Sequence, residues 1–289
     1  MSMKRGSHLA VLAATGAMAA ALSLLAPHES SAAPQPQPTP QPSWNPEQRL
    51  PEAESGQGFS SEAQQNGVVD VPAFLTVIVK DADRMWAEYF ARIQGLVEPS
   101  VRYHLVGTVL EPTYTFAAEC GGTVVTGFTS NAYYCHAGEG DIVLPVFSFA
   151  KIWSGELFGR VPEKTGDFAA AVVVAHEFGH HIQDEIFKQY NALNVPVPDM
   201  PSGDKNKELI ADCFSGNWAF SAFHKGYIQS GDWAEVIASL RAIGDPPGKS
   251  GHGTPDERQA AFERGYNTGD PTRCIVAYWP GAASALNLR

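Results

Sequence analysis

His176 and His180 stand four residues apart in the run His176-Glu177-Phe178-Gly179-His180. On an α-helix that spacing stacks two imidazoles one turn apart on a single face, close enough to hold one ion. Neutral imidazole is a good zinc ligand, and two of them leave the rest of a tetrahedron open. Glu177 follows the first histidine and points toward the open side. There its carboxylate can take a proton from a water that the metal activates. A second constellation follows in Glu208-Leu209-Ile210-Ala211-Asp212, where two carboxylates again lie four apart. Their helix is otherwise apolar, with Phe214, Trp218 and Phe220, and carboxylates on such a helix need partners. A metal and a histidine supply them. Glu208 becomes the third ligand, and Asp212 accepts the free ring N–H of a ligand histidine, fixing its tautomer. The simpler alternative for the pair is a solvated acidic stripe at a helix start. One set of three ligands implies one zinc per chain. His181 lies about 140° around the helix from His176 and falls outside this ligand set, as a supporting or surface histidine. His104, His136 and His224 have no neighbour at ligand spacing.

These residues need helices to carry them. Phe168 to Tyr190 reads as a helix with Asp167 as its N-cap, and Asp204 caps a helix over 205–225. Asp232 with Glu235 has capping-box spacing for a helix to Ile243. Thr254-Pro255-Asp256-Glu257 is a stronger box with Pro in the first turn, opening a helix to about Tyr266. Before this half, Trp86, Tyr89, Phe90 and Ile93 give one apolar face to a helix over 81–94. Val68 to Val79, apolar with Pro72, reads as a strand or entry segment. Residues 103–109, 123–126 and 142–149 are rich in β-branched and aromatic side chains and predict short strands, followed by a short helix over 151–158. The fold class expected is α+β: a small β-sheet in the N-terminal half and a helical half carrying the chemistry.

The motifs resemble the bacterial putative neutral zinc metallopeptidase family, within the gluzincin pattern of H-E-x-x-H followed by E-x-x-x-D. His176 to Gln183 looks like that family's zincin-like active helix, and Glu208 to Ala219 like its second motif. Ala242 to Asp245 and His252-Gly253-Thr254, with Gln259, Phe262 and Gly265, look like its C-terminal motifs. The likeness runs from about residue 70 to Cys274. It implies a zinc peptidase with His176, His180 and Glu208 as ligands and Glu177 as base. Two departures touch no proposed ligand: Ile210 stands where the family usually has Gln, and the stretch 141–145 lacks the usual acidic residue after its leucine. Gluzincin-type peptidases often use a histidine outside the ligand set to stabilise the developing oxyanion. His252 in the Gly-rich stretch 248–253 is the candidate here, the alternative being support of the helix that follows.

Lys4 and Arg5, the uncharged stretch 9–26 and the small residues Ser31-Ala32-Ala33 have the form of an export signal cut near Ala33. An uncleaved signal anchor is the competing reading. The Pro/Gln-rich segment 34–67 is an extended linker, and 68–289 is expected to be one domain. The location expected is therefore secreted or cell-envelope. Cys120, Cys135, Cys213 and Cys274 are an even set without zinc-type C-x-x-C pairs, so two disulfides are expected there. Cys120–Cys135 would close a short loop among the strands, and Cys213–Cys274 would tie the Glu208 helix to the C-terminal segment. The chain carries 20 basic against 31 acidic side chains. That balance speaks against nucleic acid or anionic membrane as partners and leaves a peptide or protein substrate. Two other functions fit the motifs. One is a non-catalytic envelope protein that zinc merely stabilises, for which Glu177 would have no use. The other is a zinc hydrolase of a non-peptide amide.

Overall fold

The computed structural model describes residues 70–99, 101–107, 115–117, 124–126, 131–136, 140–249 and 251–289. The expected signal and linker, and Cys120, lie outside the described residues. The elements run in the order α1 (Val71–Phe90), β1 (Arg102–Val106), β2 (Thr115–Ala117), β3 (Val124–Thr126), β4 (Tyr133–Cys135), β5 (Asp141–Pro145), α2 (Val146–Ser154), α3 (Asp167–Ala192), α4 (Lys205–His224), α5 (Asp232–Ile243), α6 (Pro255–Thr268), α7 (Pro271–Tyr278) and α8 (Pro280–Ala285). The class is α+β. Two small sheets precede a helical half.

The first segment corrects the sequence reading. Residues 71–79 do not form a strand: helix α1 runs unbroken through the join at 80, and Val68 and Val69 lie outside the described residues. Val71, Phe74, Leu75, Ile78, Val79, Ala82 and Trp86 recur at helical spacing and are buried. Pro72 sits in the first turn, where its missing N–H costs nothing, and Asp70 Oδ1 accepts from Ala73 N at 3.0 Å. Asp81, buried in mid-helix, had masked this continuity. It is held by Lys225 Nζ at 2.8 and 3.0 Å and by Trp218 Nε1 at 3.1 Å, which fastens α1 to α4.

The larger sheet has the order β1-β5-β4. β1 is parallel to β5, with Tyr103 opposite Ile142. β4 is antiparallel to it, with Tyr134 also opposite Ile142. β2 and β3 form a separate antiparallel pair. The predicted strand over 142–149 stops at Pro145, where helix α2 begins, because proline has no N–H to extend a ladder.

Helices α3 and α4 run through the core. Every residue from Phe168 to Ala175 is buried, as is every residue from Leu209 to Ala219. Gly179 lets the two helices touch: a Cβ there would lie 2.8 Å from the Cα and carbonyl oxygen of Ala211. Gly265 of α6 does the same against the Cys213 carbonyl, which a Cβ would meet at 1.8 Å. The Cys213–Cys274 disulfide joins α4 to α7. Cys135 is also disulfide-bonded.

Two of the four predicted caps form as expected. Asp204 accepts from Asn206 N, and Thr254 and Glu257 make a complete capping box. The other two differ. Gly166, not Asp167, occupies the N-cap of α3, and Gly231 occupies that of α5. No Asp232–Glu235 box forms: Asp232 accepts from Gln229 N at 2.7 Å. Glu235 reaches across to α3, where its carboxylate accepts the free N–H groups of Phe168 and Ala169.

Candidate metal centre

Helix α3 presents His176 and His180 on one face, their rings 4.8 Å apart and nearly perpendicular. Helix α4 brings Glu208 between them. His176 Nε2 lies 3.3 Å from one Glu208 oxygen and His180 Nε2 lies 3.6 Å from the other. The three donor atoms all lie within 4.8 Å of one another. Zinc bonds of about 2.0–2.1 Å in a tetrahedron separate neighbouring ligand atoms by roughly 3.4 Å. The spacing and the donor set of two imidazoles and one carboxylate both fit zinc. Burial alone would raise the Glu208 carboxyl, but the two imidazoles hold it well below the ordinary carboxylate range.

A charged relay stands behind the first histidine. His176 Nδ1 lies 2.8 Å from Asp212 Oδ1. Asp212 is fully buried and takes a two-pronged grip from Arg258, Nε to Oδ2 at 2.8 Å and a terminal nitrogen to Oδ1 at 2.7 Å. Burial would raise the Asp212 carboxyl. Arg258 and His176 outweigh it and keep the carboxyl below its ordinary value. Asp212 is thus an acceptor, so the His176 proton sits on Nδ1 and Nε2 faces the site. Behind the second histidine, the Gln183 amide lies 3.2 Å from His180 Nδ1 and donates to the Lys207 carbonyl at 3.0 Å.

Glu177 is buried beside the cluster. Burial lifts its carboxyl above the usual range despite the two imidazoles, and the Tyr134 backbone N–H hydrogen-bonds it. The Tyr134 ring fixes that strand to α3, its hydroxyl donating to Asp184 at 2.6 Å. His181 is buried against Tyr134 and Phe178. It stays outside the cluster, as its angle on the helix predicts, but it is not a surface residue.

The three ligand candidates, Glu177, Asp212, Arg258, Gln183 and Tyr134 line a cavity of about 860 Å³. His252 lines it too. The His252 side chain is 60% exposed, its Nδ1 lies 3.5 Å from Asp245 Oδ1, and its backbone N–H donates to Asp245 Oδ2. His136, unassigned from sequence, is also at the wall.

Every residue singled out for chemistry therefore gathers at one place. The sequence reading missed Arg258 and Tyr134, and the supporting roles of Asp245 and Gln183. A signal existed for Arg258. It shares one face with Ala261, Phe262 and Gly265, and an arginine on the apolar face of a helix needs a buried acid.

The family model for putative neutral zinc metallopeptidases matches residues 38–276. The chain belongs to that family. Among curated relatives, Uncharacterized protein YpfJ of Escherichia coli K12 is 35% identical over 127 residues, covering 38% of this chain and 43% of the relative. Uncharacterized protein Rv2575 of Mycobacterium tuberculosis H37Rv is 33% identical over 130 residues, covering 38% and 44%. The chain thus spans less than half the length of the relatives it matches. No solved structure matches it.

Proposed function

We propose that this protein hydrolyses peptide bonds with one zinc per chain, held by His176, His180 and Glu208. The observation that carries the reading is Glu177. A site that only stapled two helices together would have no use for a buried carboxyl at the cavity, beside the ligands yet outside the set. When bound, zinc supplies Lewis acidity, which polarises a carbonyl and brings the pKa of a water toward neutrality. The rest is the work of this chain. Glu177 takes the proton of the attacking water and passes it to the leaving amine. Tyr134 N–H orients Glu177. Asp212, kept ionised by Arg258, fixes the tautomer of His176. His252, steadied by Asp245, donates to the carbonyl oxygen as negative charge develops there.

The substrate is a peptide or protein, and the acidic balance of the chain disfavours nucleic acid. We place the protein outside the cytoplasm, with 1–33 as export signal, 34–67 as linker and 68–289 as the peptidase domain. The Cys213–Cys274 disulfide supports that location. Among the described residues no helix is long and apolar enough to cross a membrane.

The test is incubation of the zinc-loaded protein with denatured protein substrates, with and without chelator. Glu177→Gln should keep its zinc and lose turnover. His252→Ala should keep zinc and melting temperature while the rate falls by roughly 100-fold. Near-full activity in Glu177→Gln would remove the mechanism.

A further inference from the structure

We propose that the cavity contains a side-chain pocket beside His176, selecting a large uncharged residue next to the scissile bond, with Ser239 as its hydrogen-bonding group. The inference rests on the peptidase reading and adds its substrate class.

The pocket follows from two helical stripes. Ala169, Val172 and Val173 precede His176 by seven, four and three residues, so they share its face of α3, and all three line the cavity. At 1.5 Å per residue, this apolar stripe runs from His176 toward the start of α3 for about 10 Å. The facing wall comes from α5. Val236, Ser239, Leu240 and Ile243 repeat at the same three- and four-residue steps and line the same cavity. No residue of either stripe is charged. Leu157 and Phe158 line the cavity as well. Phe158 holds a backbone φ of 49°, a region bulky residues rarely enter and one that persists where surrounding structure enforces it. Of the charged groups of the cavity, Asp245 and Lys207 come from other segments, and Arg160, in the turn of Leu157 and Phe158, is held by the Ala242 carbonyl. A side chain lying along α3 from the metal corner therefore meets hydrocarbon on both sides. Its length suits tyrosine, phenylalanine, leucine or methionine, and burial there without a partner disfavours aspartate or lysine.

Ser239 adds a finer discrimination. The residue is 5% exposed, and its hydroxyl oxygen is buried with no hydrogen-bond partner. A buried hydroxyl left unpaired is unfavourable, and a ligand that brings a polar atom to it recovers the bond. Tyrosine can do so and phenylalanine cannot.

The experiment digests a proteome-derived peptide library with the zinc-loaded protein and reads the cut sites by mass spectrometry. One position flanking the cut should be enriched in Tyr, Phe, Leu and Met, with Tyr ahead of Phe by roughly threefold or more. Ile243 is partly exposed, so Ile243→Trp should fill the pocket, keep zinc, and shift preference about tenfold toward Gly and Ala. Ser239→Ala should erase the Tyr-over-Phe gap. A flat profile, or an unchanged one in Ile243→Trp, would overturn the pocket, and a persisting gap in Ser239→Ala would remove Ser239 from it. Calorimetry on zinc-loaded Glu177→Gln separates the pocket from the peptidase reading. There, 3-(4-hydroxyphenyl)propanohydroxamate should bind at least about tenfold tighter than acetohydroxamate, and Ile243→Trp should abolish the difference. Equal affinities would overturn the pocket. A wild type that cleaves no peptide yet keeps this difference would remove the peptidase reading alone.

Discussion

Replacing Arg258 with methionine isolates what the buried relay contributes. Methionine keeps much of the hydrocarbon bulk and removes the charge. Arg258 is 4% exposed and Asp212 is fully buried, so the two bonds of 2.8 and 2.7 Å are made away from water. Breaking a buried pair from one side costs about 3–5 kcal/mol, because the other charge is left uncompensated. Here His176 still faces Asp212 at 2.8 Å and offsets part of that penalty, so the lower end, about 3 kcal/mol, is expected. For a folded part of this size that is a melting-temperature loss of roughly 6–12 °C. The variant also loses the influence that keeps Asp212 ionised. A protonated Asp212 no longer accepts reliably from His176 Nδ1, and zinc affinity should fall by about 10- to 100-fold. Stability is measured by denaturant titration of the metal-free, disulfide-intact protein, so that zinc linkage does not enter. Affinity is measured by competition with a chromophoric chelator. Asp212→Asn and the double variant complete a cycle, in which the double variant should lose distinctly less than the sum of the singles. A single Arg258→Met variant that melted within about 2 °C of wild type and bound zinc within about twofold would refute this account of how His176 is held.

Gly179→Ala should push α4 off α3, since a Cβ there meets Ala211 backbone at 2.8 Å; about 1–3 kcal/mol of stability and a measurable part of zinc affinity should go with it, read by the same two titrations. Reducing Cys213–Cys274, which spans 61 residues, should cost up to about 4 kcal/mol by loop entropy, checked by unfolding with and without reductant. Asp232 gives the pH test. Burial, with the Asp167 and Glu235 carboxylates nearby, pushes its carboxyl from 3.8 up to about 7. The fold thus favours its neutral form, so the stability it contributes is whole below pH 3.8 and is lost as pH rises through about 7. Asp232→Asn should therefore unfold at higher denaturant than wild type at pH 8 and lose that advantage near pH 4. Parallel pH dependences in the two proteins would contradict the assignment.

The sequence by itself determined the relations that lie within one helix. His176, Glu177 and His180, the Glu208–Asp212 pair and the Thr254–Glu257 box follow from a fixed 3.6-residue period, which tells which side chains share a face. The same rule failed at 71–79, where β-branched residues disguised a helical repeat and a buried Asp81 interrupted it. The relations between elements needed the tertiary structure. Arg258 meets Asp212 across 46 residues because Gly216 and Gly265 let α4 and α6 approach closely. Tyr134 reaches Glu177 because the order β1-β5-β4 sets β4 at the sheet edge beside α3. Neither the closeness of two helices nor the order of strands in a sheet is encoded by periodicity. Both are set by how the apolar faces pack together, and that packing decided which distant side chains complete the site.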